Sequence, residues 1–341
     1  MKVRTFSQEW TQKWDDYVNR HPESSFFHQI GWKRVIERSF GHKSRYLLAE
    51  EEGDIRGILP LFSITSRLFG RSLVSLPFAV YGGMCFDNRE AECLIVDEAK
   101  RIAKEEDFEY LELRNIKKNG LDFPVKNLYE TFIKELPADP RECWRSLKRK
   151  ARGSAKKGVV SSLKAEMNPD RLKEFYDIYN HSLRNLGTPI FSFRFFQNLL
   201  EEFGRKINIL SVKLHDKVIA SVMVFFFKNT VNPYYGGSLK EYLGYSPNNF
   251  MYWKLMEYGC NQGYRYFDFG RSRKDAGSYH FKEHWGITPQ PLPYQYYLNK
   301  TDKIPNVSPA NPKYDLPRRI WKRLPLSVTK VLGPPLVKYL V

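Results

Sequence analysis

Hydrophobic residues recur along the chain with two different periods, and these periods predict helices and strands in a regular order. In residues 7–20, apolar side chains such as Trp10 and Trp14 recur every three or four positions, which is typical of a helix with one buried face. The same spacing predicts helices over residues 30–39 and 91–104. Runs rich in aromatic and branched residues, bounded by Gly, Pro, Asn or Asp, predict strands over residues 45–50, 55–65, 72–76 and 108–113.

This order of elements occurs a second time. Strands are predicted over residues 207–214 and 218–227, and a helix and a strand over residues 250–261 and 264–269. Each copy contains a Tyr-Gly-Gly sequence, and the two sequences lie roughly 150 residues apart, about the length of one domain. They are Tyr81-Gly82-Gly83 and Tyr235-Gly236-Gly237. The pattern therefore predicts two copies of one α/β domain.

The stretch from residue 264 to residue 285 is the strongest candidate for a site. A short aromatic run around Asp268 predicts a buried strand, which we expect to end at Gly270. A polar loop with Arg271, Arg273 and Lys274 follows. A short helix then presents one face, formed by Tyr279, Phe281, Lys282 and Trp285. A strand, a cationic loop and a Lys-bearing helix would converge here, although an ordinary corner with surface cations fits the same pattern.

Composition narrows the class of protein. The 341 residues include no apolar run of the roughly 18 residues that a bilayer-spanning helix needs. Residues 1–14 contain no continuous apolar region, so no signal peptide is expected. The four cysteines are scattered and form no Cys-x-x-Cys pair, which favours a reducing cytoplasm over a disulfide framework or a zinc site. The net charge of +17 favours a polyanionic partner: nucleic acid, anionic lipid or a phosphate-bearing substrate.

Positive charge is densest between the two predicted domains. Residues 141–157 contain eight cations against one acid, Glu142, with a narrow apolar stripe. One interpretation is a helix that faces phosphate groups, with Arg149 and Lys156 among its ligands. The other is a solvated linker helix.

The last residues, 316–341, follow a linker that contains Pro305, Pro309 and Pro312. Cations alternate there with Trp321 and several aliphatic residues, and further prolines are expected to break the segment into short pieces. Basic amphipathic pieces of this kind suit a membrane surface. A tail that packs back on the domains fits equally well.

Two familiar kinds of site are not indicated. Coenzyme A-dependent acetyltransferases carry Gln/Arg-x-x-Gly-x-Gly/Ala between a strand and a helix, where backbone amides hold the diphosphate. The nearest run, residues 67–72, ends in Ser and is expected between strands. His280 and His284 are four residues apart, but no third ligand is close in the sequence, so no metal is expected.

Two segments of this stretch together resemble the C-terminal signature of the Fem-type family. They are Phe267-Asp268-Phe269-Gly270-Arg271-Ser272 and Phe281-Lys282-Glu283-His284-Trp285-Gly286. Fem-type enzymes are non-ribosomal peptidyltransferases that extend peptidoglycan side chains and are built on tandem acetyltransferase-like (GNAT) domains. The chain is most similar to FemAB-related proteins of PEP-CTERM/exosortase exopolysaccharide clusters, and the resemblance extends to Asn311-Pro312-Lys313-Tyr314 and Trp321-Lys322-Arg323-Leu324-Pro325.

This resemblance implies an α/β (α+β) fold with two tandem GNAT-like domains, each a mixed, largely antiparallel sheet flanked by helices. The expected divisions are a first domain, a basic linker helix, a second domain and a Pro-rich basic amphipathic tail, at residues 1–140, 141–158, 159–300 and 301–341.

The resemblance also assigns roles to residues. The Phe-Lys signature makes Lys282 catalytic, placing its charge beside a tetrahedral intermediate. The family's Gly-Pro-x-x-Asp, here Gly83 to Asp87 with Met84 in place of Pro, makes Asp87 the group that orients or deprotonates the acceptor amine. The family's diphosphate-binding Lys corresponds to Ile36 here, which disfavours a UDP-linked muropeptide acceptor. The predicted substrate-binding residues are Tyr81, Gly82, Gly83, Tyr235, Gly236, Gly237, Asp268, Arg271, Arg273, Tyr279, Arg149 and Lys156.

The predicted activity is N-acyl or aminoacyl transfer to an amine on a phosphate-linked sugar or peptide precursor of a cell-envelope or extracellular polymer. The donor substrate is aminoacyl-tRNA or an acyl thioester, with no tightly bound cofactor and no metal. We expect a cytoplasmic protein whose partners are the acceptor, tRNA and, through the tail, the anionic inner face of a membrane. Two alternatives stay open: an N-acyltransferase that uses acyl-CoA or acyl carrier protein, and a non-catalytic assembly factor that binds membrane or nucleic acid.

Overall fold

The structure is a computed structural model that describes residues 1–66, 70–274, 276–305 and 311–340. Four parts of the sequence predictions lie outside the described residues. They are Arg67 to Phe69 of the run compared with the coenzyme A motif, Asp275 of the cationic loop, Pro309 of the linker, and Val341 of the C-terminal segment.

The chain folds into two compact units. The first comprises Met1–Tyr129, Pro291–Val307 and Lys338–Val341, and the second comprises Glu130–Gln290 and Ser308–Val337. The units differ from the predicted domains in that the basic segment belongs to the second unit and residues 291–307 belong to the first.

Helices and strands alternate through both units. The helices are α1 (Thr11–Arg20), α2 (Ile30–Phe40), α3 (Arg89–Glu105), α4 (Pro140–Ser146), α5 (Arg149–Val160), α6 (Leu172–Leu186), α7 (Phe193–Phe203), α8 (Pro247–Asn261), α9 (Gly277–Glu283), α10 (Asp315–Trp321) and α11 (Leu326–Val337). The strands are β1 (Lys2–Thr5), β2 (Lys43–Ser44), β3 (Leu47–Glu51), β4 (Asp54–Leu59), β5 (Leu61–Ser66), β6 (Gly70–Ser75), β7 (Cys85–Phe86), β8 (Tyr110–Leu113), β9 (Val125–Glu135), β10 (Lys164–Met167), β11 (Ile207–Leu214), β12 (Lys217–Phe227), β13 (Thr230–Ser238), β14 (Tyr266–Arg273) and β15 (Gln290–Leu298).

The first unit contains two strand ladders. One has the order β1-β3-β4-β7 and is antiparallel, and the other has the order β2-β5-β6-β8-β15, in which only β6 and β8 are parallel. The single strand predicted over residues 55–65 is in fact two strands, β4 and β5, which belong to different ladders. Pro60 separates them, because proline has no amide hydrogen with which to continue a ladder. Helix α3 packs Ile95 and Ala99 into the core beneath β3, β5 and β8.

In the second unit, strands β10 to β13 form an antiparallel ladder, and β14 joins it parallel to β13. The parallel pairing covers only Thr230 with Tyr266 and Val231 with Phe267. Beyond that point the two strands no longer pair, and the side-chain amide of Asn232 instead donates to the carbonyl of Asp268 at 3.0 Å. The backbones of β13 and β14 are therefore not paired with each other beyond these residues, and this part of β14 carries the candidate site.

Helix α8 and the basic segment cover one side of this sheet. Phe250, Leu255 and Met256 of α8 are buried in the same core as Phe267 and Phe269 of β14. The basic segment, predicted as one helix, is two helices, α4 and α5. They are separated at Leu147, which is extended because its side chain turns into the core and is only 3% exposed.

The C-terminal segment packs on the second unit. Thr329 of α11 donates to the side chain of Asn180 on α6 at 3.2 Å, and Lys330 pairs with Asp177 at 2.6 Å. Pro334 and Pro335, expected to break this segment, lie inside α11. Packing of Gly333 and Val337 offsets the hydrogen bonds that the prolines cannot make.

Two glycines of α5 provide a matched test of this packing. A Cβ at Gly158 would lie 2.7 Å from the Cβ of Phe250 in α8, whereas a Cβ at Gly153 would meet nothing within 4 Å. We expect Gly158→Ala to lower the free energy of unfolding by about 1–3 kcal/mol through overpacking. Gly153→Ala should raise it by about 0.5–1 kcal/mol through helix propensity. Urea unfolding of both variants measures the difference, and equal effects would contradict the packing of α5 on α8.

Candidate functional site

A buried lysine joins α9 to β14 in the second unit. The ammonium nitrogen of Lys282 donates to the carbonyl of Gly270 at 2.8 Å and to that of Arg271 at 2.9 Å. It lies 5.6 Å from the centre of the Phe132 ring, and the residue is only 6% exposed. A lysine is rarely buried to this degree unless its charge is held by partners. Lys282 thus lies inside the second unit and not on its outer surface.

Gly270 makes this arrangement possible. Its φ is +70°, a conformation that glycine adopts without strain, and its amide donates to the Asp268 carboxylate at 2.7 Å. The prediction that the strand ends at Gly270 is therefore wrong, since β14 continues through the glycine to Arg273. Asp268 is 5% exposed and accepts a backbone amide, as its place in a buried strand predicts. The result is two successive carbonyls in contact with one ammonium group.

Burial changes the acid–base behaviour of Lys282. Its pKa falls to about 7, mainly because burial disfavours the charged form; Asp268 raises the pKa, and Arg271 lowers it. A lysine with a pKa near 7 exchanges a proton readily at neutral pH. Among the described residues, the carbonyls of Gly270 and Arg271 accept two of its three possible hydrogen bonds, which leaves the third for another group.

Three further buried polar atoms in this region have no hydrogen-bonding partner among the described residues. They are Oδ1 of Asn232 on β13, Oγ of Ser272 on β14 and Nε1 of Trp285 just after α9. Buried polar atoms are nearly always hydrogen bonded in folded proteins. These three atoms are therefore available to form hydrogen bonds with a polar ligand.

The structure gives Tyr235, Gly236 and Gly237 a packing role. They lie within strand β13, and Tyr235 is buried among the rings of Tyr179, Phe191, Phe195 and Phe196. This burial raises the pKa of Tyr235 well above its ordinary value. A Cβ at Gly236 or Gly237 would crowd Val222 or Ser182 respectively, so protein side chains fill the space that the glycines leave.

The remaining predicted residues of the second unit lie nearer the surface. Arg271, Arg273 and Tyr279 are half-buried, and the Tyr279 ring meets that of Phe132 edge-on at 5.2 Å. Arg149 and Lys156 are exposed on α5.

Two contacts bring the start of α5 next to the end of α9. Lys148 reaches the carbonyl of Glu283 at 3.4 Å, and Lys150 donates to the ring of His284 at 3.1 Å. Burial, and then the charge of Lys150, lowers the pKa of His284. The basic face of α5 thus continues to the helix that carries Lys282.

The histidines of α9 are not arranged around a common centre. His280 contacts Glu283 at 3.0 Å, whereas His284 faces Lys150. Within the described ranges, no three or more His, Cys, Asp and Glu side chains are grouped as metal ligands would be.

The first unit contains a separate pocket of about 360 Å³. Its wall includes the main chain of Tyr81, Gly82 and Gly83 and the side chains of His28 and Asn115. The ring of His28 contacts the Gly83 carbonyl at 3.1 Å, and the side chain of Asn115 accepts the Met84 amide at 3.1 Å. Charged groups at this pocket are His21, Glu23, Arg114, Lys117 and Lys118.

Gly82 and Gly83 also permit close packing. A Cβ at Gly82 would overlap the side chain of Leu76, and one at Gly83 would overlap Asn115. Only glycine fits at these two positions, so the wall of the pocket depends on them. Whether they also contact a substrate stays a prediction.

Asp87 lies just beyond the residues that line this pocket. It is exposed, its amide donates to the Arg56 carbonyl at 2.7 Å, and its carboxylate lies 3.7 Å from Arg20. Burial, and secondarily Asp87, raises the pKa of Tyr17. The predicted catalytic roles of Asp87 and Lys282 both stay predictions.

Several residues of these sites were not predicted as such. His28, Asn115 and Lys118 of the pocket, and Asn232 of β13, belong to no motif by themselves. Ser272 ends the first segment of the Fem-type signature but was not predicted as a site residue. The sequence contains a partial signal for two of these residues. In each of the two copies, a polar pair follows the hydrophobic part of the corresponding predicted strand, and these pairs are Arg114-Asn115 and Arg271-Ser272.

Comparison with known proteins identifies the fold. Residues 141–283 match the family model described as an acetyltransferase (GNAT) domain. The structure of FemX is similar over 93% of this chain and 100% of its own, with a TM-score of 0.67 and 16% identity. This is a Fem-like GNAT fold. The predicted α/β class with GNAT-like domains is confirmed.

Two other solved structures share the fold. The C-terminal domain (DUF2156) of a putative lysylphosphatidylglycerol synthetase from Agrobacterium fabrum has a TM-score of 0.57 and 12% identity, over 85% of this chain and 92% of its own. A tandem GNAT protein from the clavulanic acid biosynthesis pathway has a TM-score of 0.53 and 11% identity, over 88% of this chain and 99% of its own. No curated protein matches the chain by sequence.

The lowered pKa of Lys282 predicts how the stability of the protein depends on pH. Because the folded pKa of about 7 is below the ordinary value of 10.5, the unfolded chain binds more protons between these values, so Lys282 makes stability rise with pH from about 7 to about 10.5. In Lys282→Met this contribution is absent. The free energy of unfolding of the variant should therefore rise less steeply with pH than that of the wild type, and the two slopes should differ by up to about 1.4 kcal/mol per pH unit. Losing the two hydrogen bonds shifts stability by a pH-independent amount, so the slope is the readout.

Denaturant unfolding between pH 7 and pH 9.5 measures this slope. The exposed-lysine variant Lys157→Met serves as the control and should follow the wild type. Parallel curves for Lys282→Met and the wild type would show that Lys282 is not buried as described.

Proposed function

We propose that the protein is a Fem-like N-acyl- or aminoacyltransferase that modifies an amine on a phosphate-linked sugar or peptide precursor of a cell-envelope or extracellular polymer. The observation that carries the proposal is the buried Lys282, held by two carbonyls of β14 beyond the point where this strand pairs with β13. The GNAT domain match and the Fem-like fold support acyl transfer as the reaction class.

The proposed reaction is the transfer of an acyl group from a carrier to an amine. The acceptor amine attacks the donor carbonyl, a C–N bond forms, and the C–O or C–S bond to the carrier breaks. The proton that the amine loses is passed to the departing oxygen or sulfur, so that the carrier leaves with a free hydroxyl or thiol group. The negative charge on the carbonyl oxygen of the tetrahedral intermediate must be stabilised in a dry, preorganised site. In this proposal the third N–H of Lys282 donates to that oxygen, and Asp87 orients or deprotonates the amine.

The donor that we propose is an aminoacyl-tRNA. The basic face of α5 continues to α9, so a polyanion bound there would lie next to the helix of Lys282. Coenzyme A is less suitable. In the second unit the loop from β13 to α8 contains no Gly-x-Gly, and α8 begins with Pro247, which has no amide hydrogen to donate to a diphosphate.

For the acceptor we propose the pocket of the first unit, whose exposed cations Lys117 and Lys118 suit a phosphate group. Ile36, at the position where the Fem-type family carries a diphosphate-binding lysine, is fully buried in α2 and has no charge to offer a diphosphate. This supports a precursor other than a UDP-linked muropeptide, and a precursor of an exopolysaccharide fits the resemblance.

A donor assay tests the reaction class directly. The full chain would be incubated with a primary-amine acceptor and either a mixture of radiolabelled aminoacyl-tRNAs or radiolabelled acetyl-CoA. Transfer of label from tRNA supports the proposal. Thiol release from acetyl-CoA alone would replace it with an acyl-CoA-dependent enzyme. Binding of tRNA without transfer under any condition would favour the non-catalytic assembly factor.

Lys282→Met tests the catalytic role. It keeps the aliphatic stem and removes the charge, so turnover should fall by roughly a hundredfold or more, the scale of losing one oxyanion donor. The matched control is Lys274→Met, which removes an exposed lysine of the same region that pairs with Glu130 at 3.3 Å, and it should retain most activity. A Lys282→Met protein that is folded and fully active would overturn the mechanism.

Charge reversal on α5 tests the donor site. Arg149→Glu with Lys156→Glu should weaken tRNA binding at least tenfold at low salt. It should also flatten the dependence of log K on log salt, because fewer counterions are released. Lys43→Glu with Lys104→Glu makes the same change of net charge in the first unit and should have a smaller effect. Filter binding between 50 and 200 mM salt distinguishes the outcomes, and equal effects of the two pairs would reject a specific role for α5.

A further inference from the structure

The C-terminal helices expose an unusual amount of apolar surface. Of the large hydrophobic side chains that are more than a third exposed among the described residues, five lie on α10 and α11. Leu316 and Val331 are 67% and 72% exposed. The full set is Leu316, Ile320, Val331, Leu332 and Leu336. Contiguous exposed apolar surface on a folded protein usually marks a contact with another molecule.

This exposure is not the result of a loosely attached tail. The inner face of α11 is buried through Thr329, Gly333 and Val337, and the hydrogen bond of Thr329 to Asn180 and the ion pair of Lys330 with Asp177 attach it to α6. The inner face of α10 is held equally closely. Trp321 is 8% exposed, and Arg184 of α6 donates to the Lys322 carbonyl at 3.4 Å.

The apolar side chains therefore have a defined direction. Leu316 and Ile320 are four residues apart on α10 and lie on the side opposite Trp321. In α11, Val331, Leu332 and Leu336 are exposed beside the buried Thr329, Gly333 and Val337, and Pro335, which is also exposed, adds no charge to this surface. Two fixed helices thus present apolar faces to solvent.

Positive charge flanks these faces. Arg319, Lys322 and Arg323 are exposed at the end of α10, and Asp315, the one acid in residues 311–340, pairs with Arg318 at 3.4 Å. Apolar side chains beside cations, with almost no acid, match the interface of an anionic bilayer. A second copy of the chain is a poor fit, because a self-complementary contact would bring the same cations together in a protein of net charge +17.

We propose that α10 and α11 form a membrane-docking surface, in which the five apolar side chains enter the headgroup region and Arg319, Lys322 and Arg323 contact anionic lipid. No helix within the described ranges is both long enough and apolar enough to cross a bilayer. The surface therefore provides reversible, in-plane binding, driven jointly by apolar burial and by attraction to acidic headgroups. The proposal does not depend on the proposed transferase activity.

Vesicle sedimentation of the full chain tests it. Vesicles of phosphatidylcholine alone are compared with vesicles that contain one quarter phosphatidylglycerol, at 50 and 300 mM salt. The wild type should bind the anionic vesicles at least tenfold more tightly. Val331→Gln with Leu332→Gln and Leu336→Gln should lose at least tenfold at both salt concentrations. Arg319→Glu with Arg323→Glu should lose binding mainly at low salt.

The matched control lies on α5, where Val159 and Val160 are 52% and 73% exposed. Val159→Gln with Val160→Gln changes similar apolar area beside another basic face, and it should leave vesicle binding unchanged. Circular dichroism and thermal unfolding report whether each variant is folded. If the triple variant unfolds, Val331→Gln alone, at the most exposed position, should still reduce binding severalfold.

Three results would overturn the proposal. The first is equal vesicle binding by the wild type and the folded α11 variants. The second is binding that does not depend on anionic lipid. The third is a concentration-dependent dimer, measured by light scattering, that disappears in the α11 variants, because this would assign the surface to a second copy of the chain.

Discussion

The candidate site of the second unit depends on one buried charge and the two carbonyls that hold it. Lys282 could not stay inside the protein unless Gly270 and Arg271 offered their carbonyl oxygens, and this needs the positive φ of Gly270 together with the Asp268 carboxylate on its amide. These groups come from a strand and a short helix that are close in sequence. The unit thus builds a polar centre into a hydrophobic core, which is costly unless every group is satisfied.

The second constraint is the way that β13 and β14 separate. Their backbones pair over two residues only. Beyond these residues, the side-chain amide of Asn232 on β13 donates to the carbonyl of Asp268 on β14. Lys282, Ser272 and Trp285 lie on β14 or on the segment that follows it, so polar atoms accumulate where the ladder has ended. A continuous ladder would have satisfied the backbone of both strands at this point.

Charge and apolar surface are distributed unevenly over the second unit. The exposed cations of α5 lie beside α9, whereas α10 and α11 combine apolar faces with a smaller group of cations. The positive charge that gives the protein its net charge of +17 is therefore not evenly distributed. Some of the cations lie on α5, where the surface is mainly charged, and others lie on the C-terminal helices, where the surface is amphipathic. These two surfaces suit different polyanions.

The sequence by itself determined most of the helices and strands, because hydrophobic period and turn residues are local signals. The GNAT-like class was predicted from the resemblance of two short segments to the Fem-type family, and the fold confirms that class. The sequence could not show that Gly270 continues a strand, since a glycine with positive φ looks the same in a turn. It also could not show that Tyr235 and the glycines after Tyr81 and Tyr235 serve packing, because the neighbours that fill their space, such as Val222 and Asn115, are distant in sequence. The burial that lowers the pKa of Lys282, and the direction in which α11 presents its leucines, depend on contacts that only the tertiary structure creates.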